Sequence, residues 1–165
     1  MKTYKGKIES LLPFQCMVFG ANKLGFHGAG AAGFASFGVA GNVWREYNYA
    51  EKPYGWLGKW NVKGIGEGYQ EGTEGRSYAL PTVTKPGARR SMSLREIAAS
   101  VDKFYRFARR RPDMEFLVSY SEKGGLNGYT PKEMASVFAG DIPENVLFEE
   151  GFAKLIEGTS RTVMD

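Results

Sequence analysis

The chain has 165 residues, 42% hydrophobic and 24% charged, which supplies one buried core and carries too little charge for a disordered chain. Twenty-two Lys and Arg against 18 Asp and Glu leave a net charge of +4, too mild by itself to establish a nucleic-acid partner. One cysteine, Cys16, excludes an internal disulfide framework, and one histidine, His27, argues against a His-based zinc site, so neither metal nor cofactor is expected.

In chain order, the opening MKTYKGKIESLLPFQ holds no apolar run of signal-peptide or membrane-span length. The expectation is a reduced, soluble, cytoplasmic protein without membrane contact. Residues 15–20 (QCMVFG) read as a compact apolar strand, which buries Cys16 and leaves its thiol inert. The strand runs into GANKLGFHGAGAAG, residues 20–33, and a small-residue helix beginning near Ala29. Fourteen of the 22 glycines fall between Phe14 and Gly75, so unusual backbone is concentrated in the first half. Residues 41–75 are a Gly/Trp/Tyr-rich insert with Trp44, Trp56 and Trp60, and no regular structure is assigned to it. Its aromatic residues either line a base pocket or form a satellite core or subunit interface, which keeps a homodimer open. Residues 78–81 (YALP) read as a second short strand.

The clearest element is a helix over residues 93–110. Leu94, Ile97, Ala98, Val101, Phe104, Tyr105 and Ala108 form one apolar stripe at helical spacing. Ser93 with Glu96 makes a capping box, and Pro112 closes the far end. A strand follows at 115–120 (EFLVSY), then the turn GGLNGY and a second helix. Thr130 caps that helix, Pro131 takes its first position, Glu133 completes the box, and Met134, Val137 and Phe138 form its buried face. Residues 145–148 read as another strand and 151–156 as a short helix. Strands alternating with helices and loops make a single α/β domain over 1–165 with a mostly parallel central sheet, and ligands bind such sheets at the carboxyl ends of the strands.

Two loops stand in that position. The first, after strand 15–20, precedes a helix whose backbone N–H groups suit phosphate. Gly28, Gly30 and Gly33 satisfy G-x-G-x-x-G, but eight positions separate Gly20 from Gly28, and Glu51, where a ribose-binding acid would fall, lies in a stretch without strand character. A dinucleotide fold is therefore disfavoured. The second loop, KGGLNGY at 123–129, also lies between a strand and a capped helix. Together the two loops are placed to cradle a pyrophosphate, although each alone also reads as a tight connection.

FGANKLGFHGAGAA, the later GRSYALPT, and the strand–GGLNGY–helix block followed by NVLF resemble small accessory proteins of tailed bacteriophages, a group related to macro domains, the ADP-ribose-binding α/β modules. The resemblance runs over residues 15–148 with the Trp-rich insert left out. In macro domains an asparagine after a core strand precedes a glycine-rich loop around the distal ribose, and a second loop ending in an aromatic residue covers the pyrophosphate. The resemblance thus implies a three-layer macro-domain-like fold and a ligand such as ADP-ribose. It places Gly20, Asn22, Gly28, Ala29 and Gly30 in the first loop of the site, and Gly124, Gly125, Leu126, Asn127, Gly128 and Tyr129 in the second. If the chain is an enzyme, the expected reaction is hydrolysis of an ADP-ribosyl derivative, with Asn22 orienting water and His27, the one histidine of the first loop, transferring a proton; the resemblance places it in the host cytoplasm of a phage-encoded protein.

Each residue also has a plainer role: Asn22 in an Asx turn, His27 as a hydrogen-bonded structural residue, Asn127 holding a left-handed turn, Tyr129 packed against the sheet. A binder without turnover stays open. So does a nucleic-acid or protein adaptor built on the basic helix 93–111, because residues 85–111 carry nine basic and two acidic residues. A solvated helix face explains the same run.

Overall fold

The computed structural model describes residues 1–25, 66–72, 75–121 and 126–159. Their strands are β1 (Lys2–Tyr4), β2 (Gln15–Asn22), β3 (Gly68–Glu71), β4 (Arg76–Val83), β5 (Glu115–Val118) and β6 (Val146–Glu149). Their helices are α1 (Leu94–Arg110), α2 (Pro131–Phe138) and α3 (Glu150–Glu157). The strands form one sheet in the order β1-β6-β5-β2-β4-β3, parallel throughout except for the antiparallel pair β3–β4. This is the mostly parallel α/β sheet expected from the alternation of elements. Among the described residues no helix is long and apolar enough to cross a membrane.

The direction of each connection decides which face it covers. From β4 the chain passes over β2 to β5 through α1, and from β5 to β6 through α2, both in the same sense across the sheet. Right-handed crossovers then put both helices on one face. Burial agrees: Cys16, Val18, Tyr78, Phe116, Val118 and Phe148 share a core with Ile97, Val101, Phe104, Met134, Val137 and Phe152 of the three helices. The connection from β1 to β2 runs in the opposite sense, and its Ile8 and Leu11 pack on the other face, against Met17, Phe19, Ala21 and Ala79. Both faces of β2 are buried, which is why it reads as a continuous apolar run rather than an alternation.

The helix signals hold in detail. Ser93 Oγ accepts from Glu96 N at 3.1 Å while Glu96 Oε1 accepts from Ser93 N at 2.9 Å. Thr130 and Glu133 repeat the arrangement at α2. The C-terminus of α1 is held from a distance: Asn145 Nδ2 lies 2.8, 2.9 and 3.1 Å from the carbonyl oxygens of Ala108, Arg111 and Met114. Because the caps satisfy backbone groups that the helix itself leaves open, Ser93→Ala should lower the unfolding free energy by about 1 kcal/mol in a urea titration, with an unchanged slope.

Several boundaries differ from the sequence expectation. Strand β2 continues to Asn22, β4 spans eight residues, and β5 stops at Val118 rather than Tyr120. Asn145 precedes β6 instead of opening it. Pro81 sits inside β4 because the β3 ladder reaches only as far as Ala79 and the β2–β4 register shifts at Ala21/Asn22. The insert assigned no regular structure at 41–75 contains β3 at its end. Its GYQE is four residues long with Tyr69 as its one apolar side chain, packed on Phe107, so it is too short to show an alternating pattern. Strand β1 is three residues long and half exposed, too short to show a period.

Candidate functional site

Strands β2 and β5 are parallel neighbours whose chains leave in opposite directions, β2 toward β3 and β4, β5 toward β6. Such a switch point opens a crevice at the carboxyl edge of the sheet, where connections part instead of covering the strand ends. Asn22 is the last residue of β2 and Val118 the last of β5. The two loops singled out in the sequence therefore start from adjacent strands at one edge. Of their candidate residues, Gly20, Asn22, Leu126, Asn127, Gly128 and Tyr129 are described, while His27, Gly28, Ala29, Gly30, Gly124 and Gly125 lie outside the described residues, as do Trp44, Trp56 and Trp60.

Asn22 is 7% exposed. Its carbonyl accepts from Gly25 N at 3.0 Å, closing a turn in which Gly25 has a φ of 77°. Lys23 N donates to Val83 O at 3.0 Å, so the turn is fastened to β4 as well. The segment leading into β3 crosses directly over it: a Cβ on Gly66 would stand 2.7 Å from Asn22 O and closer still to the Lys23 carbonyl. Gly20 is exposed, and a Cβ there would meet Thr82 Oγ1 at an ordinary 3.5 Å, so its lack of a side chain is not demanded by packing.

Thr82 was not among the sequence candidates, yet it ties the second loop to β4. It is 4% exposed, beside the register shift of β4, and its Oγ1 accepts from Asn127 Nδ2 at 2.7 Å. Asn127 adopts a φ of 53°, and its carbonyl accepts from Arg90 N at 2.8 Å. Asn127 thus does hold the left-handed turn conformation. Gly128 has a φ of 92°, and a Cβ there would lie 2.8 Å from Arg90 Cγ and 3.4 Å from Arg89 Nε. Tyr129 is 9% exposed, donates its hydroxyl to Met92 O at 2.5 Å, and carries the Arg90 guanidinium 4.7 Å above its ring. Leu126 packs against the core. Residues 126–129 are therefore a latch that ties the loop after β5 to the loop after β4.

The basic run of 85–111 is divided by α1. A 17-residue helix is about 25 Å long, so Lys85, Arg89 and Arg90 sit at the carboxyl edge while Arg106, Arg109, Arg110 and Arg111 sit at the other end. The far group is laced with acids: Arg109 meets Asp141 at 3.3 Å, Arg111 meets Asp113 at 3.0 Å, and nearby Arg76 meets Glu71 at 3.6 Å and Lys103 meets Glu67 at 3.7 Å. A groove of about 310 Å³ between β3 and α1 is lined by Tyr69, Tyr78, Phe107, Lys103, Arg106 and Arg110. At the near end, the Glu96 carboxyl is held below its usual range by the hydrogen bonds from the Ser93 backbone and hydroxyl, with a smaller contribution from the positive charge of Lys23.

Burial pushes the Cys16 thiol far above its ordinary range, and the residue is fully enclosed, as the apolar strand implied. Among the described residues no three His, Cys, Asp or Glu side chains are grouped to hold a metal ion. No protein-family model matches this chain, and no curated protein or solved structure matches it either.

Proposed function

We propose that the chain binds ADP-ribose or a related nucleotide at the carboxyl edge of its sheet, across the ends of β2 and β5, in a three-layer macro-domain-like arrangement. The observation that carries this reading is the switch point itself: Asn22 ends β2 beside β5, and the glycine-rich loops follow those two strands. Both capped helix starts, at Ser93 and Thr130, follow loops at the same edge, and their partial positive charge favours a diphosphate there. In this arrangement Asn22 orients the distal ribose, and where turnover occurs, a water attacking its anomeric carbon. His27 supplies the proton transfer, and the backbone N–H groups around Gly28–Gly30 and Gly124–Gly128 hold the phosphates. An adaptor resting on the basic helix is the weaker reading, because Arg109 and Arg111 at its far end are matched by Asp141 and Asp113, and that end stands apart from the arginines at its start.

Calorimetric titration with ADP-ribose, NAD and AMP tests the proposal. The expected result is micromolar binding of ADP-ribose that weakens at least tenfold in Asn22→Ala, about 1.4 kcal/mol or more of binding free energy. Absence of heat with every nucleotide would refute it. If His27→Ala keeps the affinity and abolishes release of ribose products, the site is hydrolytic; if wild type releases none, the chain is a binder alone.

A further inference from the structure

The groove of about 310 Å³ between β3 and the second half of α1 lies apart from the carboxyl edge. On the helix, Lys103, Arg106, Phe107 and Arg110 are spaced i, i+3, i+4 and i+7, which brings them to one face. That face meets Tyr69 and Tyr78, whose ring centroids lie 5.2 and 5.6 Å from that of Phe107. Tyr78 is 2% exposed, yet its hydroxyl makes no hydrogen bond among the described residues. Burial raises that hydroxyl above its usual range, Glu67 raises it further and Arg106 lowers it, so it lies toward the groove where those charges stand. A buried phenol opening on a groove is a donor for whatever enters. Arg106 and Arg110 are exposed and make no ion pair among the described residues, unlike Arg109 and Arg111 with Asp141 and Asp113.

Strand β3 shows what chemistry this helix face accepts. Glu67, just before the strand, sets a carboxylate 3.7 Å from Lys103 Nζ, and Tyr69 lays its ring on Phe107. Glu71 meets Arg76 at 3.6 Å and accepts from the Tyr69 hydroxyl at 2.9 Å. Acid, aromatic and acid thus recur at alternate positions of an extended chain. Among the described residues β3 pairs with β4 alone. We infer that the groove docks an acidic, extended segment of a partner protein, which repeats that pattern beside β3. Its aromatic side chain rests on Tyr69 and Phe107, its carboxylates meet Arg106 and Arg110, and the Tyr78 hydroxyl donates to it. A single-stranded nucleic acid fits less well, because it would carry a continuous line of phosphates past Glu67 and Glu71, whereas a peptide places its carboxylates singly. The inference does not depend on the nucleotide reading.

Fluorescence polarisation with a labelled nonapeptide, bearing glutamate, tyrosine and glutamate at alternate positions and neutral elsewhere, tests it. Wild type should bind the peptide saturably with a Kd below about 1 mM, more weakly as salt rises. The double variant Arg106→Glu, Arg110→Glu should bind at least tenfold more weakly at an unchanged urea midpoint. Lys85→Glu with Arg89→Glu, an equal change of charge at the other end of α1, should stay within twofold. Tyr78→Phe, which removes only the hydroxyl, should weaken binding severalfold, and alanine in place of the peptide's tyrosine should abolish it. No saturable binding by wild type, or an equal loss in both double variants, would overturn the inference. A labelled oligothymidylate held more tightly than the peptide, and released by the Arg106 and Arg110 changes, would overturn it in favour of nucleic acid. ADP-ribose binding is read separately, by the titration above.

Discussion

Phe104→Ala should lower the unfolding free energy by about 3–5 kcal/mol, because the side chain is large, wholly enclosed and central to the contact between α1 and the sheet. Phe104 is 0% exposed. Its ring centroid lies 4.9 Å from that of Tyr78 on β4, 5.5 Å from Phe116 on β5 and 5.7 Å from Tyr105 on its own helix. Truncation removes the ring that spans two strands, and the flanking aromatics are too constrained to collapse into the space. Domains of this size hold about 5–15 kcal/mol in total, so the variant should lose a large part of its margin and unfold at a much lower urea midpoint. Phe107→Ala supplies the comparison, since that ring is half-buried at the groove beside β3 and should cost clearly less. A Phe104→Ala loss below about 1 kcal/mol would mean that α1 does not rest on β4 and β5 as described.

Gly66→Ala should damage stability and ligand binding together, although Gly66 is not itself a ligand contact. A side chain there would run into the carbonyls of Asn22 and Lys23. Backbone atoms held by the Gly25–Asn22 and Lys23–Val83 hydrogen bonds cannot swing aside as a flexible side chain does. Overpacking of this kind costs about 1–3 kcal/mol. The relaxation must either lift the segment before β3 or push the turn at Asn22, and the second displaces the residue on which the proposed site depends. ADP-ribose affinity should therefore fall by tenfold or more, which calorimetry reads directly. Gly158→Ala is the control: its nearest neighbour stands at 3.6 Å and the position is free of positive φ, so stability and binding should stay near wild type. Wild-type behaviour in Gly66→Ala would show that the crossing is loose.

What the sequence disclosed is what local chemistry encodes. Ser93, Glu96 and the stripe from Leu94 to Ala108 specify α1 without reference to the rest of the chain, and the same is true of Thr130, Pro131 and Glu133 at α2. The apolar run at residues 15–20 sufficed to place β2, which continues to Asn22. That both glycine-rich segments start from one edge followed from the parallel pairing of β2 and β5. Other features depend on partners far along the chain and leave no local mark. Asn145 looked like the start of a strand because nothing near it reveals three carbonyls at the end of α1. Thr82 was passed over because its partner, Asn127, is 45 residues away. The run from Arg89 to Arg111 looked like one basic surface until the length of α1 divided it. Strand β3 escaped because four residues with a single apolar side chain, Tyr69, show no period.

The position of β1 has a consequence for how the chain reaches this structure. Lys2, Thr3 and Tyr4 pair with Leu147, Phe148 and Glu149, and the Tyr4 hydroxyl donates to Val118 O across 114 residues of sequence. On the ribosome, β1 emerges before the other described elements, whereas β6, its partner among the described residues, emerges after all of them except α3. Closing that ladder brings together segments separated by most of the chain, an entropic cost met before any contact rewards it. Until then the outer edge of β6 presents unpaired backbone N–H and C=O groups, a template for pairing with another copy. The interval between making β6 and capturing β1 is therefore a stage at which an open sheet edge is exposed to aggregation during synthesis.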